Sequence, residues 1–231
     1  MTTTLITGAN KSLGRETARR LIAEGHDVWI GARNAERGQE AADALGGRFV
    51  QLDVTDDASV AAAVETITAA GTGLDVLVNN AGVPGPFADP LALTVADYEG
   101  VYAANVFGVV RVTQAFLPLL RASQAPVIVN VSSGMGSIAA TTDPSRVESG
   151  AVMPIYTSSK AALNMVTTQW ATALPEIRVN AVDPGYTATD FNGHQGHQTV
   201  EEGAAPIVRM ALVGTDGPTG TFESVEGPAG W

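Results

Sequence analysis

The chain has 231 residues, no cysteine and a formal net charge of −11. That length suits a single domain, at a prior of ~100–200 residues each, and 45% hydrophobic against 16% charged residues marks a globular chain. Without cysteine there are no disulfides, zinc–thiolate sites, iron–sulfur clusters or cysteine nucleophiles. An acidic balance argues against nucleic acid as a partner. No apolar run approaches the ~18 residues of a membrane helix, and the N-terminus lacks the basic-then-apolar pattern of a signal peptide. The expected setting is cytoplasmic, with no membrane association.

Short apolar strands alternate with amphipathic helices along the whole chain. Thr3–Thr7 reads as a strand ended by Gly8, Leu13–Glu24 as a helix ended by Gly25, and Val28–Ile30 as the second strand. A helix over Ala35–Leu45 closes at Gly46-Gly47, a strand over Phe49–Leu52 follows, and a helix over Asp57–Ala70 closes at Gly71. Leu74–Val78 is the fourth expected strand, before a Gly/Pro-rich loop from Gly82 to Pro90. The second half repeats the scheme: a helix over Tyr98–Arg121, a strand over Val127–Val131, a polar loop to Pro154 and a helix to about Leu174. A strand over Arg178–Val182, a Gly/His/Gln loop, one more helix and a short strand near Gly220–Phe222 complete it. Near-continuous apolar strands are buried on both faces, and their alternation with helices predicts a doubly wound parallel sheet, a Rossmann fold of about seven strands in one α/β domain.

The first strand runs directly into Thr7-Gly8-Ala9-Asn10-Lys11-Ser12-Leu13-Gly14 and a helix. Glycines in such a turn let backbone N–H groups approach a pyrophosphate, and the helix N-terminus adds positive partial charge. The spacing is Gly-x3-Ser-x-Gly, not the dinucleotide Gly-x-Gly-x2-Gly, and by itself it also fits an ordinary tight turn. Further along come Asn79-Asn80-Ala81-Gly82 after the fourth strand, Tyr156-Thr157-Ser158-Ser159-Lys160, and Pro184-Gly185 after the sixth. Together, and in this order, these motifs resemble the short-chain dehydrogenase/reductase family. The turn at Gly8-Ala9-Asn10-Lys11 and Gly217-Pro218-Thr219-Gly220 are similar to its carbonyl-reductase-like members. Ser12 departs from the family's middle glycine; its hydroxyl is expected to meet a phosphate oxygen or cap the helix beside it.

The second strand ends Gly31-Ala32-Arg33 without the acidic residue that would bond the ribose of NAD. Arg33 suits a 2′-phosphate, with Lys11 as second cation, so NADP(H) is expected over NAD(H). The resemblance implies adenine contacts from Asp53 and Val54, ribose contacts from Asn80, Ala81 and Gly82, and carboxamide and phosphate contacts from Thr187 and Thr189. Gly8, Asn10, Leu13, Gly14, Val131, Pro184 and Gly185 complete the implied cofactor set, with Tyr156 and Lys160 at the nicotinamide end.

Tyr156 and Lys160 stand four residues apart on one helix face. A neighbouring ammonium should lower the phenol from its ordinary ~10 towards the operating pH. The resemblance implies Tyr156 as general acid in reduction and base in oxidation. Lys160 would hold the nicotinamide ribose, and Asn105 a water linking Lys160 to solvent. Ser133 would donate to the substrate oxygen, with the adjacent Ser132 as runner-up. The separation of 23 residues from Ser133 to Tyr156 is longer than usual in the family and marks an insertion around 139–152. Longer insertions here accompany monomers in the family, so monomer and homo-oligomer both stay open. A substrate lid is expected near 189–205, its glycines as hinges. His194 and His197 have no adjacent cysteine or acidic partner, so no metal is expected. The expected activity is NADPH-dependent reduction of a small aldehyde or ketone, or the reverse oxidation of an alcohol. The alternative is a non-catalytic NADP(H)-binding sensor on the same fold.

Overall fold

The computed structural model describes all residues 1–231. In chain order it has β1 (Thr3–Thr7), α1 (Ser12–Ala23), β2 (Asp27–Ala32), α2 (Ala35–Leu45), β3 (Arg48–Gln51), α3 (Asp57–Ala69) and β4 (Val76–Asn79). Then follow α4 (Val95–Tyr102), a π-helical turn (Ala103–Gly108), α5 (Val109–Ala122), β5 (Val127–Val131), α6 (Ile138–Thr142), α7 (Pro154–Ala173), β6 (Arg178–Val182), α8 (Val200–Ala211), β7 (Phe222–Ser224) and β8 (Gly227–Pro228). The strands form one sheet in the order β3-β2-β1-β4-β5-β6-β7-β8, parallel except for β8. The order reverses between β1 and β4, and ligands of such sheets bind outside the carboxyl ends of the strands at that switch point.

Each sheet face carries its own apolar layer, because successive strand residues point to opposite sides. Ile6, Val28, Ile30 and Val78 pack with Ala18 and Leu21 of α1 and Ile207 of α8. Leu5, Trp29, Leu77 and Ile128 pack on the other face with Ile67 of α3 and Phe116 of α5. Side-chain caps set where helices begin. Asn34 accepts the Arg37 N–H at α2, Asp56 accepts those of Ala58 and Ser59 at α3, and Thr94 and Asp97 cap α4 reciprocally.

Several expectations need correction. The sheet has eight strands, because Gly227 at φ 119 lets β8 fold back antiparallel on the β7 edge. The fourth strand is Val76–Asn79: the Asp75 carboxylate accepts the Thr3 N–H and the Ser123 hydroxyl, a role outside the strand ladder. The helix expected over Tyr98–Arg121 starts at Val95 under its capping box and widens into the π turn. As a rod from Val95 to Ala122 it is long and apolar enough to cross a membrane, contrary to the expectation that no segment qualifies. Half of its most apolar stretch is buried in the fold. The polar loop before Pro154 contains α6, whose Ala139 N–H donates to the Trp231 carbonyl. Residues 200–205 of the expected lid are the first turns of α8.

Candidate active site

The cofactor end is built where β1 and β4 emerge side by side. The Thr7 hydroxyl accepts the N–H groups of Asn80 and Ala81, and the Asn80 carboxamide donates to the carbonyls of Thr7 and Gly8. Gly8 lies at φ +66, and a Cβ on it would stand 3.1 Å from the Ala81 Cα. A Cβ on Gly14 would meet Asn80 Nδ2 at 2.5 Å, so α1 starts tight against this junction. The first turn of α1 has no side-chain cap, which leaves its N–H groups available to an anion as at other helix N-termini. The fit to a pyrophosphate rests on these donors and on the space the glycines leave.

Ser12 occupies the left-handed region at φ 49, where a family glycine costs nothing and a serine is strained. Its hydroxyl does not cap α1, which corrects that expectation. Arg33, at the end of β2, is exposed and forms no ion pair within the chain. It borders a cleft with Gln51, Asp53, Asp56 and Ser59. The Asp53 Oδ1 is occupied by the Thr55 N–H and hydroxyl, and Val54 is buried beside it. Lys11, the expected second cation, is instead paired with Asp190 at 2.9 Å. Thr187 and Thr189 are buried: the Thr187 hydroxyl donates to the Pro184 carbonyl, and that of Thr189 caps a short turn over Asp190–Asn192. Gly185 needs its left-handed φ of 69 to turn this segment back across the strand ends.

The chemical end lies at the carboxyl end of β5. Ser133 is half-buried and hydrogen-bonds the hydroxyl of Tyr156, from the first turn of α7. Lys160, one turn on, is 5% exposed; its Nζ donates to the Val131 carbonyl at 2.8 Å and stands 5.7 Å from the centre of the Tyr156 ring. Burial lowers Lys160 to about 8. Burial also pushes the Tyr156 phenol above its ordinary value; the Ser133 hydrogen bond opposes this and the Asp183 carboxylate adds to it. The expected lowering by Lys160 is thus reversed, because burial dominates at Tyr156 and the Lys160 ammonium is directed at Val131.

Asn105 sits in the π turn, whose extra residue aims the carboxamide at the loop after β4. Its Oδ1 accepts the Val83 N–H, and its Nδ2 donates to the Val83 carbonyl and the Ser159 hydroxyl. A Cβ on Gly82 would lie 3.1 Å from Asn105 Oδ1 and 3.7 Å from Lys160 Nζ, so these two groups face the same glycine. Ser133, Tyr156, Lys160 and Asn105 therefore converge, although they come from three separate parts of the chain: the end of β5, the π turn and α7.

Beyond Tyr156 opens a cleft of about 330 Å³ walled largely by apolar residues, among them Pro84, Phe87, Val152, Met153 and Ile155. Val152 comes from the insertion and Phe87 from the Gly/Pro-rich loop. The Phe191 ring packs edge-on against Tyr156 at 5.4 Å, placing the lid on the other side. Three features of the site escape sequence reasoning. A Cβ on Gly134 would lie 2.7 Å from Glu148 Oε1 and 2.9 Å from Asp183 Oδ2, so two carboxylates flank the residue after Ser133. The aromatic contact of Phe191 is the second. The third is the acidic partner of His194, which is Asp190 at 2.9 Å and four residues back. Only the Asp before Pro184-Gly185 offered a local sequence signal.

The family model described as short chain dehydrogenase matches residues 2–199. A short-chain dehydrogenase of Penicillium roqueforti is 39% identical over 91% of this chain and 88% of its own length. A (+)-neomenthol dehydrogenase of Arabidopsis thaliana is 35% identical, covering 95% of each chain. Among solved structures, the NADPH-bound carbonyl reductase from chicken fatty liver superposes with a TM-score of 0.87 at 29% identity, covering 99% of this chain and 98% of the other. A parallel-sheet fold with a nicotinamide-type groove defines the class, and the chain belongs to the short-chain dehydrogenase/reductase family. It is an oxidoreductase family whose members here act on carbonyl and alcohol substrates and use a nicotinamide cofactor.

Proposed function

We propose that this chain is an NADP(H)-dependent reductase of small aldehydes or ketones, or oxidises the corresponding alcohols, working as one domain in the cytoplasm. The observation that carries this reading is the convergence of Ser133, Tyr156, Lys160 and Asn105 beside an apolar cleft. A cofactor bound along the Gly8–Gly14 turn supplies the hydride that the carbonyl carbon accepts.

Ser133 donates a hydrogen bond to the carbonyl oxygen and draws off its developing charge. The Tyr156 hydroxyl, protonated at neutral pH as an ordinary phenol is, gives its proton to that oxygen. In the oxidative direction the phenolate takes the proton back. Lys160 keeps donors beyond the one spent on Val131, and these would hold the nicotinamide ribose. Asn105 Oδ1 retains a lone pair for a water leading to Lys160. Arg33 would take the 2′-phosphate: it forms no ion pair within the chain and follows directly on β2, which ends without an acidic residue.

The test is oxidation of NADPH and of NADH against a panel of aldehydes, diketones, quinones and keto-esters. Turnover of at least one carbonyl, faster with NADPH, is expected. NADPH binding without turnover across the panel would favour the sensor alternative.

A further inference from the structure

We propose that Asp190 is a coenzyme-retaining residue, forming with Lys11 a clasp across the outer rim of the cofactor groove. The proposal rests on the reading that a cofactor pyrophosphate lies between the Gly8–Gly14 turn and the Pro184–Thr189 segment. Lys11 Nζ and Asp190 Oδ2 are 2.9 Å apart although 179 residues separate them in sequence. Theirs is the one ion pair joining these two walls. Gly203 of α8 sits against both walls: a Cβ on it would stand 3.0 Å from Leu13 Cδ2 and 3.0 Å from Thr187 Cγ2. The Lys11–Asp190 pair and the packing of α8 thus hold the two walls to one another at two places.

The turn that presents Asp190 is itself fixed. Thr189 and Asn192 cap it reciprocally, and Asn192 Nδ2 also donates to the Thr187 carbonyl at 2.9 Å. Gly193 and His194 are both left-handed, at φ 62 and 61. That reversal lets His194 Nε2 reach the second carboxylate oxygen of Asp190 at 2.9 Å. A histidine at positive φ is strained, and the ion-paired carboxylate is the group its ring reaches. The residue after Asp190 is Phe191, whose ring lies on Tyr156. One short turn therefore serves the rim of the cofactor groove and the wall of the reaction site. An ammonium has three donors, so Lys11 holds Asp190 and a phosphate oxygen together.

The experiment is stopped-flow release of NADPH from the full-length chain, chased with excess NADP⁺ and read by nicotinamide fluorescence. Because the pair is exposed, Asp190→Asn should release NADPH about two- to five-fold faster at low salt. The two rates should converge as NaCl is raised. His194→Asn, which suits a left-handed backbone, should speed release by less. Release from Asp190→Asn that is no faster than wild type, or that stays faster by the same factor at high salt, overturns the clasp. Wild-type protein that binds neither NADPH nor NADH overturns the reading of the groove and the clasp with it.

Discussion

Ser132 Oγ donates to Asn164 Oδ1 at 2.5 Å, and Asn164 Nδ2 donates onward to the Gly136 carbonyl. The first of two adjacent serines is thereby spent on tying β5 to α7. The second, Ser133, is only half-buried and acts on the Tyr156 phenol. This favours Ser133 over its neighbour as the proposed donor to the substrate oxygen. Ser133→Ala should lower kcat by ~10²–10³-fold, as loss of an oxyanion donor does. Ser132→Ala should keep kcat within about tenfold and instead lose ~1–3 kcal/mol of stability, from the buried carboxamide left unpaired. Steady-state kinetics and denaturant unfolding of both variants check the split; the reverse pattern would assign the roles the other way.

In the proposed function Arg33 sets the coenzyme preference. A charge-assisted bond to a 2′-phosphate is worth ~1.5–3 kcal/mol, so Arg33→Ala should raise KM for NADPH by roughly 10–100-fold. KM for NADH should move by less than about threefold, because NADH lacks the phosphate. Equal weakening of both cofactors would remove Arg33 from the 2′-phosphate site.

Lys160 makes stability depend on pH in a stated direction. Its folded value of about 8 lies below the ~10.4 of an unfolded lysine, so between these values the unfolded state binds more protons. The burial penalty on the ammonium is present in full below about pH 8 and fades as pH rises towards 10. Cofactor-free wild type should therefore gain on Lys160→Met by up to ~3 kcal/mol across that window. Urea unfolding of both proteins at pH 7 and pH 10 measures it, and a constant difference would contradict a buried ammonium.

Ser12 pays for its left-handed backbone. Relief of that strain is worth ~1–2 kcal/mol, and the added freedom of a glycine in the unfolded chain takes back ~0.5–1 kcal/mol. Ser12→Gly should raise Tm by roughly 1–4 °C, with NADPH affinity retained. A lower Tm would mean the serine makes a compensating contact.

Elements were legible where a local pattern determines them. The apolar runs of β1, β5 and β6, and Gly46 closing α2 in the left-handed conformation, follow from residues within a few positions of each other. So does the placing of Tyr156 and Lys160 on one face. What was missed depends on distant partners. Nothing near Lys11 announces Asp190, and nothing near Gly134 announces Glu148. The raised phenol of Tyr156 follows from burial, which motif spacing does not report. Strand β8 spans only Gly227–Pro228, too short for any period to register. The capping box at Thr94 and Asp97 was present in the sequence, and it marks the true start of α4.

The most direct measurement is single-turnover carbonyl reduction by NADPH with Tyr156→Phe beside wild type, using a substrate found by the carbonyl panel. The variant should bind NADPH with an affinity close to wild type, because the phenol oxygen is not needed to seat the cofactor. Its hydride-transfer rate should fall by at least ~10²-fold. A reduction rate like that of wild type would show that the proton comes from elsewhere, and would contradict the assignment of Tyr156 as the acid.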